Sequence, residues 1–570
     1  MSNHVESGRR RRPVLVAALV LVVLAALIVV GCGTPSPGGT STSPSPSGDQ
    51  PVFRIGAIGF AFSSLNPFVA YTAMDYAAFM QMYPSLVQFT NADLSVQPDL
   101  AETWSMSADG KTWTFKLRSD GVWTDGEPIT AADAAFTINT TVKYQTGAAA
   151  MLSAYVVGVK EATATDATTL TVTLERPVAA FLANIFQLPI LPEHVWSSFA
   201  TGDGSKLKTP TNDPAKETVV VAGPFTVQKL DLKGTTIFQR VDTFYGQKPL
   251  IKGFGYQTFT NPDAAVQALK AGQIDAAYPL PPTVAPTLAK DASLKVQGFG
   301  TMPLEVALND SPDYTKHPEL LDPKVREAID IAIDRPQIVE TVFRGYAEPG
   351  GSLLLPQFAP KYMSSPLPVA TRDVTQANAI LDGLGYKKGS DGVRVANGRP
   401  MKYTILIWGL FKADHSRVFD VLKQNLADVG IALTSKVMDN PIPVFMGKDA
   451  KYRDYEGWLA VYGLTPDPDF SLLVYTGPMR GAYNPCGYSN AAYDKLYNEQ
   501  NTATDAAART AVIDKMVAKL QKDRVEIPLV YWQMATAWNA KWQNVADIGS
   551  VFGFFSYVDK TQFTKLALAQ

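Results

Sequence analysis

From Thr112 to Arg118 the chain alternates without a break. Trp113, Phe115 and Leu117 point one way, and Thr112, Thr114, Lys116 and Arg118 point the other. Alternation with a period of two predicts a strand buried on one face. The turn-forming Ala108-Asp109-Gly110-Lys111 precedes it, with Trp104 and Met106 before the turn, so the segment predicts a hairpin. Leu170 to Leu174, Tyr403 to Ile407 and Ile431 to Val437 also read as strands. Helices are marked by their ends. Thr130 followed by Asp133 predicts a capping box. Asn261-Pro262-Asp263 supplies an N-cap, a first-turn proline and an acid, before Val266, Leu269 and a closing Gly272. Asp322-Pro323 opens a second such helix, and Asp334 opens a third that stops at Gly345. Ser416 to Val429 is amphipathic through Val418, Val421, Leu422 and Leu426. Strands and helices alternate irregularly, which predicts a mixed α/β or α+β class, and no repeat of 20–50 residues is visible.

The N-terminus follows another rule. Arg9 to Arg12 form a basic block, Pro13 to Val30 carry no charge, and Val29-Val30-Gly31-Cys32 closes the run. A basic start, an apolar middle and small residues at the end predict an export signal. The final tetrapeptide resembles a bacterial lipobox, in which the cysteine sulfur is lipidated and the chain is cut before it. That predicts a signal peptide over 1–31 and a lipid on Cys32. An uncleaved membrane anchor is the alternative, and the arginines also suit twin-arginine export. The sixteen residues Gly33 to Gly48 are all Gly, Ser, Thr or Pro. Such a tract buries too little apolar surface to order itself. Residues 32–50 are expected to form a tether with a reach of roughly 20–25 Å, with the globular part beginning near Pro51.

Composition excludes several functions. Among 570 residues, 51 Lys and Arg face 53 Asp and Glu, and 46% are hydrophobic, as in an ordinary globular chain. This balance gives no reason to expect nucleic acid, which requires clustered cations. Two cysteines, Cys32 and Cys486, exclude a disulfide framework, and Cys486 is expected to be packing. The sequence contains no H-E-x-x-H, G-x-S-x-G, Walker loop or G-x-G-x-x-G. Asp467-Pro468-Asp469 reads as a turn in which an aspartate bonds its own backbone, not as a catalytic pair. His194 reads as a capping or packing residue, and His317 and His415 as surface. No catalytic residue, cofactor or metal is expected.

Three blocks carry a resemblance. Leu100-Ala101-Glu102-Thr103-Trp104, Asp109 to Arg118, and Trp123-Thr124-Asp125-Gly126-Glu127-Pro128-Ile129-Thr130-Ala131-Ala132-Asp133 resemble the signature of the peptide/nickel/opine-type extracellular solute-binding proteins, family 5. The likeness extends from Leu65-Asn66-Pro67 through Ala222-Gly223-Pro224-Phe225 and Ala268 to Asp275. It continues in Val325-Arg326-Glu327-Ala328, Ala332-Ile333-Asp334-Arg335, Tyr488-Ser489-Asn490, Tyr493 to Leu496 and Ile527-Pro528-Leu529. It implies an α/β, two-lobed periplasmic-binding-protein-like fold (type II, cluster C) with an additional third domain. Lobe I would combine 51–85, 205–299 and 527–570; the extra domain would be 86–204, and lobe II 300–526. Trp104, Trp113, Phe115 and Trp123 would be core of the extra domain.

The resemblance also implies function. The chain would be a monomeric, non-enzymatic lipoprotein on the outer face of the bacterial cytoplasmic membrane. It would close on a peptide or similar small polar solute and deliver it to the permease and ATPase subunits of an ABC importer. An oligosaccharide, an opine or a metal chelate is the runner-up ligand; an exported hydrolase or a ligand-sensing receptor is the rival class. By family position Tyr71, Tyr76, Trp408, Tyr462, Thr465 and Asp467 are the ligand-site candidates, Asp467 chiefly as a loop-shaping residue. Peptide-binding members carry an aspartate shortly before the Asp-Pro pair, where it meets the ligand's amine. Here that position falls on Leu464, with no acid anywhere in 460–466. Either another acid substitutes, or the ligand is not a free-amine peptide.

Overall fold

A computed structural model describes residues 51–90, 93–445, 455–462, 465–481, 484–547, 553–554 and 559–569. The signal segment, Cys32, the tether and Leu464 lie outside the described residues. One 11-stranded sheet organises the chain. Its order is Ala432–Met438, Lys402–Trp408, Gly457–Val461, Leu294–Leu308, Glu526–Asn539, Ala276–Leu280, Val52–Ile58, Gly253–Phe259, Thr235–Arg240 and Phe225–Lys229, with Ala347–Pro349 added beside Glu526–Asn539. Val52–Ile58 runs parallel to Gly253–Phe259 and to Ala276–Leu280. Lys402–Trp408 runs parallel to Ala432–Met438 and Gly457–Val461. Parallel neighbours need a crossover. Helix Pro262–Lys270 supplies one and helix Lys412–Ala427 the other.

The two parallel groups meet through one antiparallel ribbon. Leu294–Leu308 has 15 residues and Glu526–Asn539 has 14. One half of the ribbon pairs Leu294 to Phe299 with Met534 to Asn539, and the other pairs Met302 to Ala307 with Glu526 to Trp532. The register shifts between Phe299 and Met302. Gly300 stands in that break with φ +72°, and a Cβ there would lie 3.0 Å from Gly553 Cα. Only glycine takes this backbone without strain. The ribbon thus has its weak point where the two halves join. The expected lobe boundaries at 299/300 and 526/527 fall within these two strands.

The cores divide accordingly. Phe53, Ile55, Phe254 and Trp542 belong to one buried cluster that also takes in Phe115, Trp123 and Leu170. Phe115 and Leu170 belong to a separate four-stranded antiparallel sheet, Ala101–Met106, Thr112–Leu117, Thr169–Leu174 and Val159–Asp166, and Trp123 lies in the segment that follows Thr112–Leu117. Trp104 and Trp113 pack, half-buried, against the same cluster. A second cluster joins Val306, Ile329, Ile405, Leu422 and Trp532. Met534 packs against both clusters. Two motif arginines serve the ribbon. Buried Arg326 donates to the carbonyls of Arg524, Val525 and Asn309 at 2.9, 3.2 and 2.9 Å. Arg335 donates to Pro528 O at 2.8 Å.

Two local expectations need correcting. The helix read from Ser416 begins at Lys412. The extra turn places His415 on the same face as Val418, Phe419 and Leu422, at spacings of three, four and seven, so it is buried, not at the surface. His317 is also buried. Its Nδ1 lies 2.9 Å from Glu319 Oε1, and its ring meets Tyr403 edge-on. Among the described residues no helix is long and apolar enough to cross a membrane.

Candidate functional site

In open sheets of parallel strands, ligands bind outside the carboxyl ends, where loops diverge. This sheet has two such sets of ends, and a cavity of about 250 Å³ lies between them. Ile58, Gly59 and Phe60 leave the end of Val52–Ile58; Thr260 and Pro262 follow Gly253–Phe259; Pro279 and Leu280 end Ala276–Leu280, and Pro281 and Pro282 follow it. From the other half come Leu410, Phe411, Ala413 and Asp414, just beyond Lys402–Trp408. Trp532, Gln533 and Met534 form the floor, at the break in the ribbon. The cavity is therefore walled by both halves and floored by their junction.

Its walls are mainly apolar. Phe60 stacks near Tyr278, whose hydroxyl lies 3.3 Å from Met534 Sδ. Phe411 meets Trp532 edge-on at 6.2 Å and Trp408 edge-on at 5.7 Å. Among the described residues Asp414 is the one charged side chain in the lining. Burial raises its carboxyl above the usual aspartate value, and Arg417 offsets part of that effect from 4.0 Å. Behind Phe411, His415 stacks on the ring at 5.1 Å. Both His415 ring nitrogens are buried without a partner among the described residues, and burial lowers its pKa to about 3.

The family follows from a match independent of this geometry. The model of the bacterial extracellular solute-binding proteins, family 5 (middle region), matches residues 95–482, more than half of the chain. The chain belongs to this family. It is accordingly a solute-binding protein and not an enzyme. Protein XP55 of Streptomyces lividans is 28% identical over 445 residues, covering 76% of each chain. The nickel-binding periplasmic protein of Escherichia coli K12 is 26% identical over 489 residues, covering 82% of this chain and 87% of that one. A periplasmic binding protein, DppA, from Helicobacter pylori, solved with the peptide STSA, superposes with a TM-score of 0.71. It covers 91% of this chain and 98% of its own at 22% identity, and it shows the shared fold.

None of the six ligand-site candidates lines the cavity of this family 5 protein. Trp408 comes nearest, through its edge contact with Phe411. Tyr71 is 68% exposed. Tyr76 packs edge-on against Phe79 and Tyr155. Thr465 donates to its neighbour Asp467 O at 2.6 Å. Tyr462, half-buried, spends its hydroxyl on Glu526 Oε1 at 2.6 Å. Asp467 is buried in a two-pronged ion pair with Arg509, at 2.6 and 2.7 Å, and also accepts the Asp469 amide at 2.9 Å. The turn reading of Asp467-Pro468-Asp469 therefore describes its geometry.

Glu526, the partner of Tyr462, belongs to a buried polar knot. Tyr475 Oη lies 3.5 Å from Glu305 Oε2 and 3.2 Å from Glu526 Oε2, and Cys486 Sγ donates to Glu526 Oε1 at 2.7 Å. Burial, then the hydrogen bond and charge of Glu526, push the Glu305 carboxyl well above the usual carboxylate range. The residues that do wall the cavity, Phe60, Phe411, Asp414 and Trp532, were not picked out from the sequence. Their common signal is position: three of them sit just past the end of a parallel strand or at the start of its crossover helix.

Proposed function

We propose that the chain is the extracytoplasmic receptor of an ABC importer and binds a peptide or a comparable small polar solute between its two halves. The observation that carries this reading is the cavity walled by Phe60 and Phe411 from opposite halves and floored by Trp532. Closure about the ribbon break at Gly300 would bring the walls together, and solute would favour closure only through contacts it makes with both. The lobe and extra-domain boundaries given above are part of the proposal. Peptide fits the chemistry better than metal chelate, because no histidine lines the cavity among the described residues. The volume, about 250 Å³, lies just below the roughly 300–1,000 Å³ typical of ligand pockets, which favours a short solute.

Native mass spectrometry of the protein purified from its own host should reveal a retained, chemically unaltered small molecule. Phe411→Ala should weaken retention or titrated binding of that molecule about 10–100-fold, since a half-buried aromatic wall contributes about 1.5–3 kcal/mol. Unchanged affinity, or release of a cleaved product, would remove the cavity from the reading.

We also propose that lipid on Cys32 holds the receptor at the membrane, with 33–50 as tether. Support comes from the Val29-Val30-Gly31-Cys32 tetrapeptide behind an uncharged run. Cys32→Ser should shift the protein from the membrane fraction to the soluble exported fraction. Retention of the variant at full length would favour an uncleaved anchor.

A further inference from the structure

The sequence leaves open what replaces the missing acid at 464. The cavity contains one carboxylate among its described lining residues, and its surroundings ask for a cation. Asp414 lies in the first turn of Lys412–Ala427, with its side chain 25% exposed. It accepts no hydrogen bond among the described residues. Arg417, itself 49% exposed, comes only to 4.0 Å. A largely dehydrated carboxylate without donors is unfavourable unless a partner arrives. Among the described residues the rest of the lining holds no competing charge. Phe60, Phe411 and Trp532 present ring surfaces in the same cavity, and such surfaces attract organic cations. Proline and aliphatic side chains, Ile58, Pro279, Leu280 and Leu410, cover much of the remainder and suit an apolar body.

We propose that Asp414 anchors a protonated amine in this cavity, so that the preferred solute is a small molecule with an apolar or aromatic body and a single cationic amine. The inference rests on the cavity being the solute site. It assigns the amine contact to the start of the crossover helix, a different place in the fold from the loop around 464. Burial already raises the Asp414 carboxyl, so an ammonium that replaces lost hydration would recover a contact the free protein lacks.

The test titrates the full-length chain, in mild detergent, with two probes of the same dipeptide body, one with a cationic and one with a blocked, neutral N-terminus: the dipeptide amide Phe-Ala-NH2 and its N-acetylated form. Wild type should bind the free amine about 10–100-fold more tightly, as expected for one charge-assisted hydrogen bond. Asp414→Asn should abolish that preference, the free amine then binding no more tightly than the acetylated probe. Asp414→Glu should keep part of it. Equal binding of the two probes by wild type, binding of neither, or a preference that survives in Asp414→Asn would overturn the assignment. Phe411→Ala separates this outcome from failure of the site itself. If it weakens both probes while Asp414→Asn changes nothing, the cavity stands and the anchor falls. If it leaves wild-type affinities for both intact, the cavity reading falls as well, and the anchor with it.

Discussion

Replacing Arg509 with Met should lower the stability of the folded chain by about 3–5 kcal/mol, the loss typical when one partner of a buried ion pair is removed. The guanidinium and the Asp467 carboxylate are 8% and 5% exposed and meet through two short bonds. Burial works against the arginine's charge, yet pairing with Asp467 outweighs it and holds the group above its ordinary pKa. Arg509 also bonds Gln500 Oε1 at 3.0 Å, and Gln500 in turn donates to Asp469 at 2.8 Å. Removal of the arginine leaves Asp467 without its ion-pair partner next to a second, half-buried acid, Asp469, whose pKa is already raised by burial and by Asp467. Urea midpoints at neutral pH would measure the loss. The double variant Asp467→Asn with Arg509→Met should recover most of it, because it leaves no unpaired charge at position 467. A single variant within about 1 kcal/mol of wild type, or a double variant no better than the single, would show that the pair does not hold this loop.

The same pair shows what was legible before the structure. Asp467-Pro468-Asp469 announces its turn, because an aspartate bonding the amide two residues on is a local rule. The Trp113-Phe115-Leu117 strand and the helices opened by Thr130, Asn261 and Asp322 are also local, and they stand where the pattern put them. That Asp467 is spent on an arginine 42 positions away is not local, and neither is the cavity. Phe60, Phe411 and Trp532 look like ordinary core aromatics until the strand order places them at the same end of the sheet. Tyr462 was chosen by family position, but its hydroxyl is turned to Glu526. One polar turn, Lys412 to His415, hid the most. Apolar periodicity starts only at Val418, so the helix seemed to begin late. The missed turn concealed both the acid in the cavity and the burial of the histidine beside it.

That histidine should make the protein acid-sensitive in a defined window. Burial lowers His415 from 6.5 to about 3, and no described group compensates either nitrogen. The unfolded chain therefore takes up a proton near pH 6.5 that the folded chain refuses until near pH 3. Between those values the unfolded state binds more protons, so stability falls as pH falls. At pH 5 the loss from this residue is about 2 kcal/mol, at about 1.4 kcal/mol for each pH step below 6.5. His415→Leu should remove it. Wild type and variant would be compared by urea unfolding at pH 7.5 and pH 5.0. The variant's advantage should be larger at pH 5.0 by about 2 kcal/mol, with other titrating groups common to both proteins. Parallel stabilities at the two pH values would mean that the ring has access to water or to a partner. The consequence reaches the site because His415 stacks on Phe411. A proton forced onto the imidazole must expel it from the apolar face it shares with Val418 and Leu422, and the cavity wall would move with it. Solute that packs against Phe411 should therefore protect the protein most strongly at the acid end of this range.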